Sequence, residues 1–307
     1  MSRIDVVVVG EILVELYCHA ELVDGAPLRL GFSGDALNAA AAAVAAGATT
    51  AVLTAVGADE IGDALIRRVT ELGIDPSLIR RDPRANGAYL LHGDLTGSRQ
   101  FHYWRNGSAA STLDERDIER HQEVVAAAGA VVLSGITAAL SDTAERAVLA
   151  AARTASTVVY DPNFRARLTT VERARAVLGE VAPYCALLTP SCPGDSIPLL
   201  DTGDPDEVLT TALSLGARAV AVTSGTAAVG VADAAGRIRY PVPFNPDAVD
   251  ATGAGDVFSG TTAARLAVGD PLREAVRLGI GAASLSVTGR GGTGHIPTLA
   301  ESRAAAP

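Results

Sequence analysis

The string Asp250-Ala-Thr252-Gly253-Ala254-Gly255-Asp256 runs directly into Val257-Phe-Ser-Gly260. A glycine-rich turn entering a helical pattern is a natural anion site. The first N–H groups of a helix have no internal partner, and the helix dipole adds positive potential there. Gly253 and Gly255 let the backbone approach an anion closely. An acidic side chain closing such a turn would repel a phosphate. It makes sense as a base that takes a proton from a hydroxyl attacking that phosphate. Read alone, Gly-x-Gly-Asp is an N-capping aspartate after a tight turn. A second string, Gly31-Phe-Ser-Gly34-Asp35-Ala-Leu-Asn38, precedes an alanine-rich stretch to Ala46 closed by Gly47. A Gly-Asp pair before a helix can present polar groups to a polyol. Alone it is an ordinary loop and helix start, with Asn38 serving either as N-cap or in the site.

These strings need a scaffold, and the pattern around them supplies one. Val6–Val9, a run of β-branched residues ended by Gly10, predicts a strand buried on both faces. Ala51–Val56 predicts the next strand, and Ile61–Leu72, ended by Gly73, a helix. Further strands are predicted at Val131–Ser134, Val158–Asp161, Ala186–Thr189 and Ala219–Thr223, and helices at Thr143–Thr154, Asp256–Ala267 and Leu272–Val287. Strand alternating with helix implies a parallel sheet with helices on its faces. The alternation lapses twice. Residues 11–34 are punctuated by Gly25, Pro27 and Gly31, and Ala88–His92 and Gln100–Trp104 flank a Gly93–Gly97 turn. Both read as antiparallel ribbon, together a small sheet beside the main domain. The exposed ribbon edges imply a homodimer or higher homo-oligomer through that sheet. The expected organisation is one domain over residues 1–300 and a flexible tail at 301–307 with little to bury.

Composition narrows the chemistry by exclusion. The 307 residues are 48% apolar and 20% charged, with a formal net charge of −10. That speaks against a disordered chain and against a nucleic-acid binder, which would carry a basic footprint. All 25 basic residues are arginine. Without lysine there is no P-loop, no Schiff-base aldolase, no lysine-tethered pyridoxal enzyme and no protein-kinase strand lysine. Cys18, Cys185 and Cys192 match no zinc spacing, and the five histidines form no spaced cluster. No apolar run reaches membrane-span length, and the N-terminus does not read as a signal peptide. These features predict a cytoplasmic protein.

The two strings, in this order and register, resemble the two signature regions of the PfkB (ribokinase-like) carbohydrate kinases. The resemblance runs from Val6 to about Pro297. It implies a ribokinase-like three-layer α/β/α sandwich with a small β-sheet lid, formed here by about residues 11–34 and 87–105. It further implies ATP-dependent phosphoryl transfer to a sugar hydroxyl, with Asp256 as base and Gly253, Ala254 and Gly255 as the anion hole. Between the signatures, Gln100-Phe-His-Tyr103-Trp104-Arg105 and Asp161-Pro-Asn163-Phe-Arg165-Ala-Arg167 are similar to stretches of the 2-keto-3-deoxygluconate kinases. That resemblance implies substrate contacts from Gly34, Asp35, Asn38, Tyr89, Tyr103, Arg105, Arg165, Arg167 and Asp256, with Arg165 and Arg167 unranked. The chemistry is coherent, because guanidinium forks pair with the carboxylate of a sugar acid. Read without it, Arg105 and Arg165 are surface ion-pair partners.

On the nucleotide side the resemblance implies Asn163, Ser191, Thr223, Gly225, Gly230, Thr252, Gly253 and Gly255, with ATP and Mg²⁺ as cofactors. The monovalent-cation requirement and the metal ligands stay open. Ser191 and Gly194 replace the Asn-x-x-Glu that many relatives carry there, with Asp195 adjacent. Trp104 is expected to pack between lid and core. The expected activity is phosphorylation of the 6-hydroxyl of 2-keto-3-deoxygluconate, giving the 6-phosphate and ADP. The nearest alternative is another kinase of the family, such as a fructokinase or ribokinase. A nicotinamide oxidoreductase is disfavoured, since Gly10-Glu-Ile-Leu-Val-Glu lacks Gly-x-Gly-x-x-Gly. Asp256 speaks against a catalytically dead sugar binder.

Overall fold

The computed structural model describes residues 3–93 and 100–307. Its frame is a nine-stranded sheet. The strands are β1 (Val6–Val9), β4 (Thr50–Gly57), β5 (Ile79–Asp82), β8 (Ala130–Ser134), β9 (Val158–Asp161), β10 (Cys185–Leu188), β11 (Val220–Val222), β12 (Val229–Asp233) and β13 (Gly236–Tyr240), in the order β13-β12-β11-β10-β9-β8-β1-β4-β5. From β11 to β5 all neighbours are parallel; β12 and β13 form an antiparallel hairpin at one edge. Alternation along β1 divides the core. Val7 and Val9 pack with the helices Asp142–Thr154, Val171–Val181 and Pro205–Ser214. Val6 and Val8 pack with Asp35–Ala45, Glu60–Glu71, Ala254–Ala267 and Leu272–Ser286. Both faces are covered, so the central strands are continuously apolar.

The second sheet is the lid, with β2 (Leu13–Cys18), β3 (Arg29–Ser33), β6 (Ala88–His92) and β7 (Gln100–Trp104) in the order β3-β2-β6-β7. The two ribbon segments join through β2 and β6, which are parallel; the outer pairs are antiparallel. Leu13, Tyr17, Tyr89 and Leu91 cluster with Phe101 on one face. Strand alternation puts Leu16, Leu30, Leu90, His102 and Trp104 on the other. Of the turn expected over Gly93–Gly97, only Gly93 is among the described residues.

Three expectations need correction. The first helix starts at Asp35 with Gly34 as N-cap, so Asn38 lies one turn inside and caps nothing. Trp104 does not pack between lid and core: it is 59% exposed, on the outer lid face. The tail does not fray. Thr298 and Glu301 form a reciprocal capping box that starts a helix at Leu299–Ala305, and Ser302 is buried. Gly281 of the preceding helix has no room for a Cβ there, which would lie 2.3 Å from the Ser302 carbonyl oxygen.

Candidate active site

The carboxyl ends of the parallel strands and the inner face of the lid enclose a cavity of about 690 Å³. A crevice beyond the strand ends is where open parallel sheets place ligands. Gly34, Asp35, Asn38, Tyr89, Tyr103 and Arg105 line it from the lid side. Asn163, Arg165, Arg167, Ser191, Thr223, Thr252, Gly253, Gly255 and Asp256 line it from the core. Ala254, Gly225 and Gly230 are not in the lining. Gly230 sits inside β12, where a Cβ would meet Leu209, and Gly225 faces open space.

The turn before Ala254–Ala267 forms as its glycines require. Gly253 adopts φ +80°, a left-handed conformation that disfavours side chains. Asp250 secures the approach by accepting from the Thr252 N–H at 2.9 Å and the Gly291 N–H at 2.8 Å. Asp256 lies in the first helical turn, and its carboxylate faces the cavity. Asn38 Nδ2 donates to Asp256 Oδ2 at 2.8 Å. Asn163 Nδ2 approaches Oδ1 at 3.5 Å. Burial, joined by the negative charge of Asp35, pushes the Asp256 pKa up to about 7, against the opposing pull of the Asn38 hydrogen bond and of Arg165. A general base poised near neutrality has the proton affinity its task requires.

Asp161, at the end of β9, is raised well above the usual carboxylate range by burial and by its neighbours Asp195 and Asp256. Asp195 has a structural job. It accepts from the Phe164 N–H at 2.6 Å, and from the Ser191 N–H at 2.7 Å and Oγ at 2.6 Å. It thereby ties the Asp161–Arg165 loop to the Ser191 turn. Among the described residues there is no group of three or more His, Cys, Asp or Glu that could hold a metal. A divalent ion here would therefore depend on phosphate and water oxygens, as Mg²⁺ commonly does.

Arg105 is not the surface ion-pair partner it would be in isolation. It is 7% exposed and pairs with Glu11, which is fully buried. Its guanidinium carbon lies 5.6 Å from the centre of the Tyr103 ring, so the two share one side of the lid as strand alternation predicts. Its Nε is buried and has no hydrogen-bond partner among the described residues. Ser108 Oγ also donates to Glu11, at 2.9 Å. Burial pushes Glu11 up and Arg105 pulls it back down. Gly34 makes this junction possible. Its φ is +121°, and a Cβ would lie 2.3 Å from the Glu11 carbonyl oxygen. Arg167 Nη1 donates to the Phe101 carbonyl of β7 at 2.8 Å, linking the loop to the lid edge. Arg165 bonds only its neighbour's carbonyl, Phe164 O at 2.9 Å, and makes no ion pair among the described residues. Arg167 is likewise exposed and makes no ion pair among the described residues.

Glu11, Glu15, Ser33 and Phe101 were not singled out in the sequence. The signal for the two glutamates was present: carboxylates inside an apolar ribbon, Gly10-Glu-Ile-Leu-Val-Glu, need buried partners. Glu15 finds its partner in the Tyr89 hydroxyl.

Known proteins give the same picture. The pfkB family carbohydrate kinase profile matches residues 3–299. The 2-dehydro-3-deoxygluconokinase of Thermoproteus tenax is 30% identical, over 98% of this chain and 93% of that protein. The 2-dehydro-3-deoxygalactonokinase of Haloferax volcanii is 27% identical, over 94% of this chain and 92% of that protein. The crystal structure of a PfkB protein from Polaromonas sp. JS666 superposes with a TM-score of 0.85 at 26% identity, covering 98% of this chain and all of that one. With its family profile spanning nearly the whole sequence and its two-sheet architecture, the chain belongs to the pfkB family of carbohydrate kinases.

Proposed function

We propose that the protein phosphorylates the 6-hydroxyl of 2-keto-3-deoxygluconate (2-dehydro-3-deoxygluconate) with ATP and Mg²⁺. The observation that carries the substrate reading is Arg105. A guanidinium buried on the lid face with an unpaired Nε is costly unless a ligand acceptor meets it, and a sugar-acid carboxylate is the matching acceptor. Asp256 lies on the core side of the cavity, in place to take the proton of the attacking hydroxyl. Bound MgATP supplies the phosphoryl group. The Gly253–Asp256 turn offers the unpaired N–H groups of a helix start to the phosphoryl oxygens. Lid residues Tyr89 and Tyr103 cover the acceptor and exclude water as a competing nucleophile. Arg165 and Arg167 both line the cavity without an ion-pair partner among the described residues, and are further guanidiniums for the anionic ligands.

The outer lid face carries exposed Leu30 and Trp104, which supports a homodimer through the lid. The three cysteines are free and buried, in keeping with a reducing, cytoplasmic setting. No helix among the described residues is long and apolar enough to cross a membrane.

An ADP-release assay across 2-keto-3-deoxygluconate, its galactonate epimer, fructose and ribose tests the reading. The gluconate-derived acid should give the highest kcat/KM. Faster turnover of fructose or ribose overturns the substrate assignment while leaving the kinase assignment standing.

A further inference from the structure

We infer that Glu15 is a positioning residue of the lid: its carboxylate holds the Tyr89 hydroxyl in place at the cavity and fastens the sheet to the 290–293 loop beside the phosphate turn. The inference rests on the reading of Tyr89 as a residue that covers the acceptor.

Glu15 stands in the middle of β2 and is 7% exposed. Strand alternation puts it on the same face as Leu13 and Tyr17, within the apolar cluster that Tyr89, Leu91 and Phe101 complete. A carboxylate placed there is costly unless it is hydrogen-bonded. The sheet register sets Glu15 directly opposite Tyr89 on β6, and the Tyr89 hydroxyl donates to Glu15 Oε2. Tyr89 is 5% exposed and lines the cavity, with its ring centre 5.7 Å from that of Phe101 and 5.8 Å from that of Tyr103. The aromatic neighbours pack the ring, and Glu15 anchors its polar end. Glu15 itself is not in the cavity lining, so any effect it has on the acceptor passes through Tyr89.

The same carboxylate reaches the core. Burial pushes Glu15 up, and the Tyr89 hydroxyl and the Gly292 N–H, both bonded to it, pull it back down. Gly291 has φ +77°, and a Cβ there would lie 2.1 Å from Glu15 Oε1. The loop therefore admits the carboxylate because it lacks side chains at that point. Thr293 Oγ1 adds a second tie to the lid, donating to the Phe32 carbonyl of β3 at 3.2 Å. On its other side the loop is bound to the phosphate turn. The Gly291 N–H donates to Asp250 Oδ2 at 2.8 Å, and Asp250 Oδ1 also takes the Thr252 N–H at 2.9 Å. A continuous set of hydrogen bonds thus runs from the tyrosine over the acceptor, through Glu15, to the loop that braces the phosphate turn.

The test is steady-state kinetics of Glu15→Leu, Glu15→Gln, Tyr89→Phe and the double variant Glu15→Leu/Tyr89→Phe, joined by amide hydrogen exchange over residues 288–295. Glu15→Leu is expected to raise the sugar KM about tenfold, with kcat and the ATP KM within about threefold of wild type. Glu15→Gln keeps an acceptor for the Tyr89 hydroxyl and should stay within about threefold on all three. In the Tyr89→Phe background, Glu15→Leu should raise the sugar KM by no more than about a further threefold, since the two changes remove one interaction. A wild-type sugar KM in Glu15→Leu, or an undiminished effect in the Tyr89→Phe background, overturns the inference. Should Glu15→Leu fail to fold, Gly291→Ala decides, because its methyl would displace the carboxylate: a raised sugar KM supports the inference and a wild-type one overturns it. Exchange needs no substrate. Glu15→Leu should speed it over 288–295 by about tenfold, and unchanged exchange overturns the fastening of the lid. If the wild-type protein turns over no sugar, the kinase reading fails, and the exchange result still decides whether Glu15 holds the lid to the loop.

Discussion

Arg105 has a proposed substrate contact and an observed pairing with Glu11, and a single substitution confounds the two. Arg105→Ala removes the proposed partner of the substrate carboxylate. Losing one hydrogen bond to a charged group costs about 1.5–3 kcal/mol, or about one to two decades in kcat/KM. A neutral sugar such as fructose would not lose that interaction. The same change strands Glu11, a carboxylate with no solvent exposure, beside an empty space. Breaking a buried pair from one side costs about 3–5 kcal/mol of stability. Glu11 already sits above the usual carboxylate range, and Arg105 is what pulls it down. Without Arg105 it rises further. A carboxyl with a raised native pKa contributes stability below its unfolded pKa and loses it as pH rises through the folded value. The thermal deficit of Arg105→Ala should therefore be smallest at acid pH and grow as the pH rises. Adding Glu11→Gln removes the stranded charge and should return most of the lost stability, with no return of the carboxylate-specific rate. The assay is kcat/KM on 2-keto-3-deoxygluconate and on fructose for wild type, Arg105→Ala and the double variant, with melting temperatures over the same pH range. An equal loss on both sugars in the stable double variant would refute the carboxylate assignment and make Arg105 a brace for the lid.

Four further outcomes are expected. Asp256→Asn should lower kcat by about 10²–10⁴-fold while ATP still binds, and near-normal turnover by calorimetrically competent protein removes Asp256 as base. Because burial raises Asp256 to about 7, its ionised form destabilises the fold; the same variant should melt higher than wild type at pH 8, by a few kcal/mol at most, with the gain vanishing toward pH 4. In the wild type that pKa sets the acid limb of kcat/KM near pH 7, with activity falling about tenfold per unit below it, and a flat profile from pH 5 to 8 contradicts the assignment. If the lid is the dimer interface, Trp104→Glu should yield monomer by sedimentation velocity at concentrations where wild type is dimeric; a wild type that stays monomeric at high concentration dismisses the interface.

What was legible in the sequence was what the chain specifies locally. Val6–Val9 and Val158–Asp161 are strands with the bounds the apolar pattern sets, because a strand covered on both faces admits little else. The Gly253 turn was legible because its left-handed φ needs glycine. Both lid ribbons were legible as strands, but their union was not: β2 pairs with β6 across the whole first βαβ unit, and no local pattern encodes that register. The β12–β13 hairpin was not anticipated: Gly230, expected only as a nucleotide-side residue, belongs to β12. The final helix was misread in spite of a visible signal, the Thr298-x-x-Glu301 capping box, because its neighbours are mostly small residues. Of the two roles open to Asn38, the cap fails for a related reason, while its place in the cavity lining stands. Gly34 caps its helix without a side-chain bond, so a sequence search for a polar cap settles one turn too late.

The residues that govern selectivity share a deeper difficulty. An arginine in a sequence is a cation of unknown allegiance. Arg105, Arg165 and Arg167 have the same side chain and were all expected to touch ligand. Arg105 is paired with buried Glu11, whereas Arg165 and Arg167 each donate to one carbonyl and make no ion pair among the described residues. Glu11 is distant from Arg105 in the chain, so the charge that Arg105 offers a ligand is a property of the fold. A kinase of this family can therefore keep every arginine and still change its sugar, by changing the carboxylate behind one of them. Glu11, which is not in the cavity lining, is on this argument expected to tune acid-versus-neutral preference through Arg105.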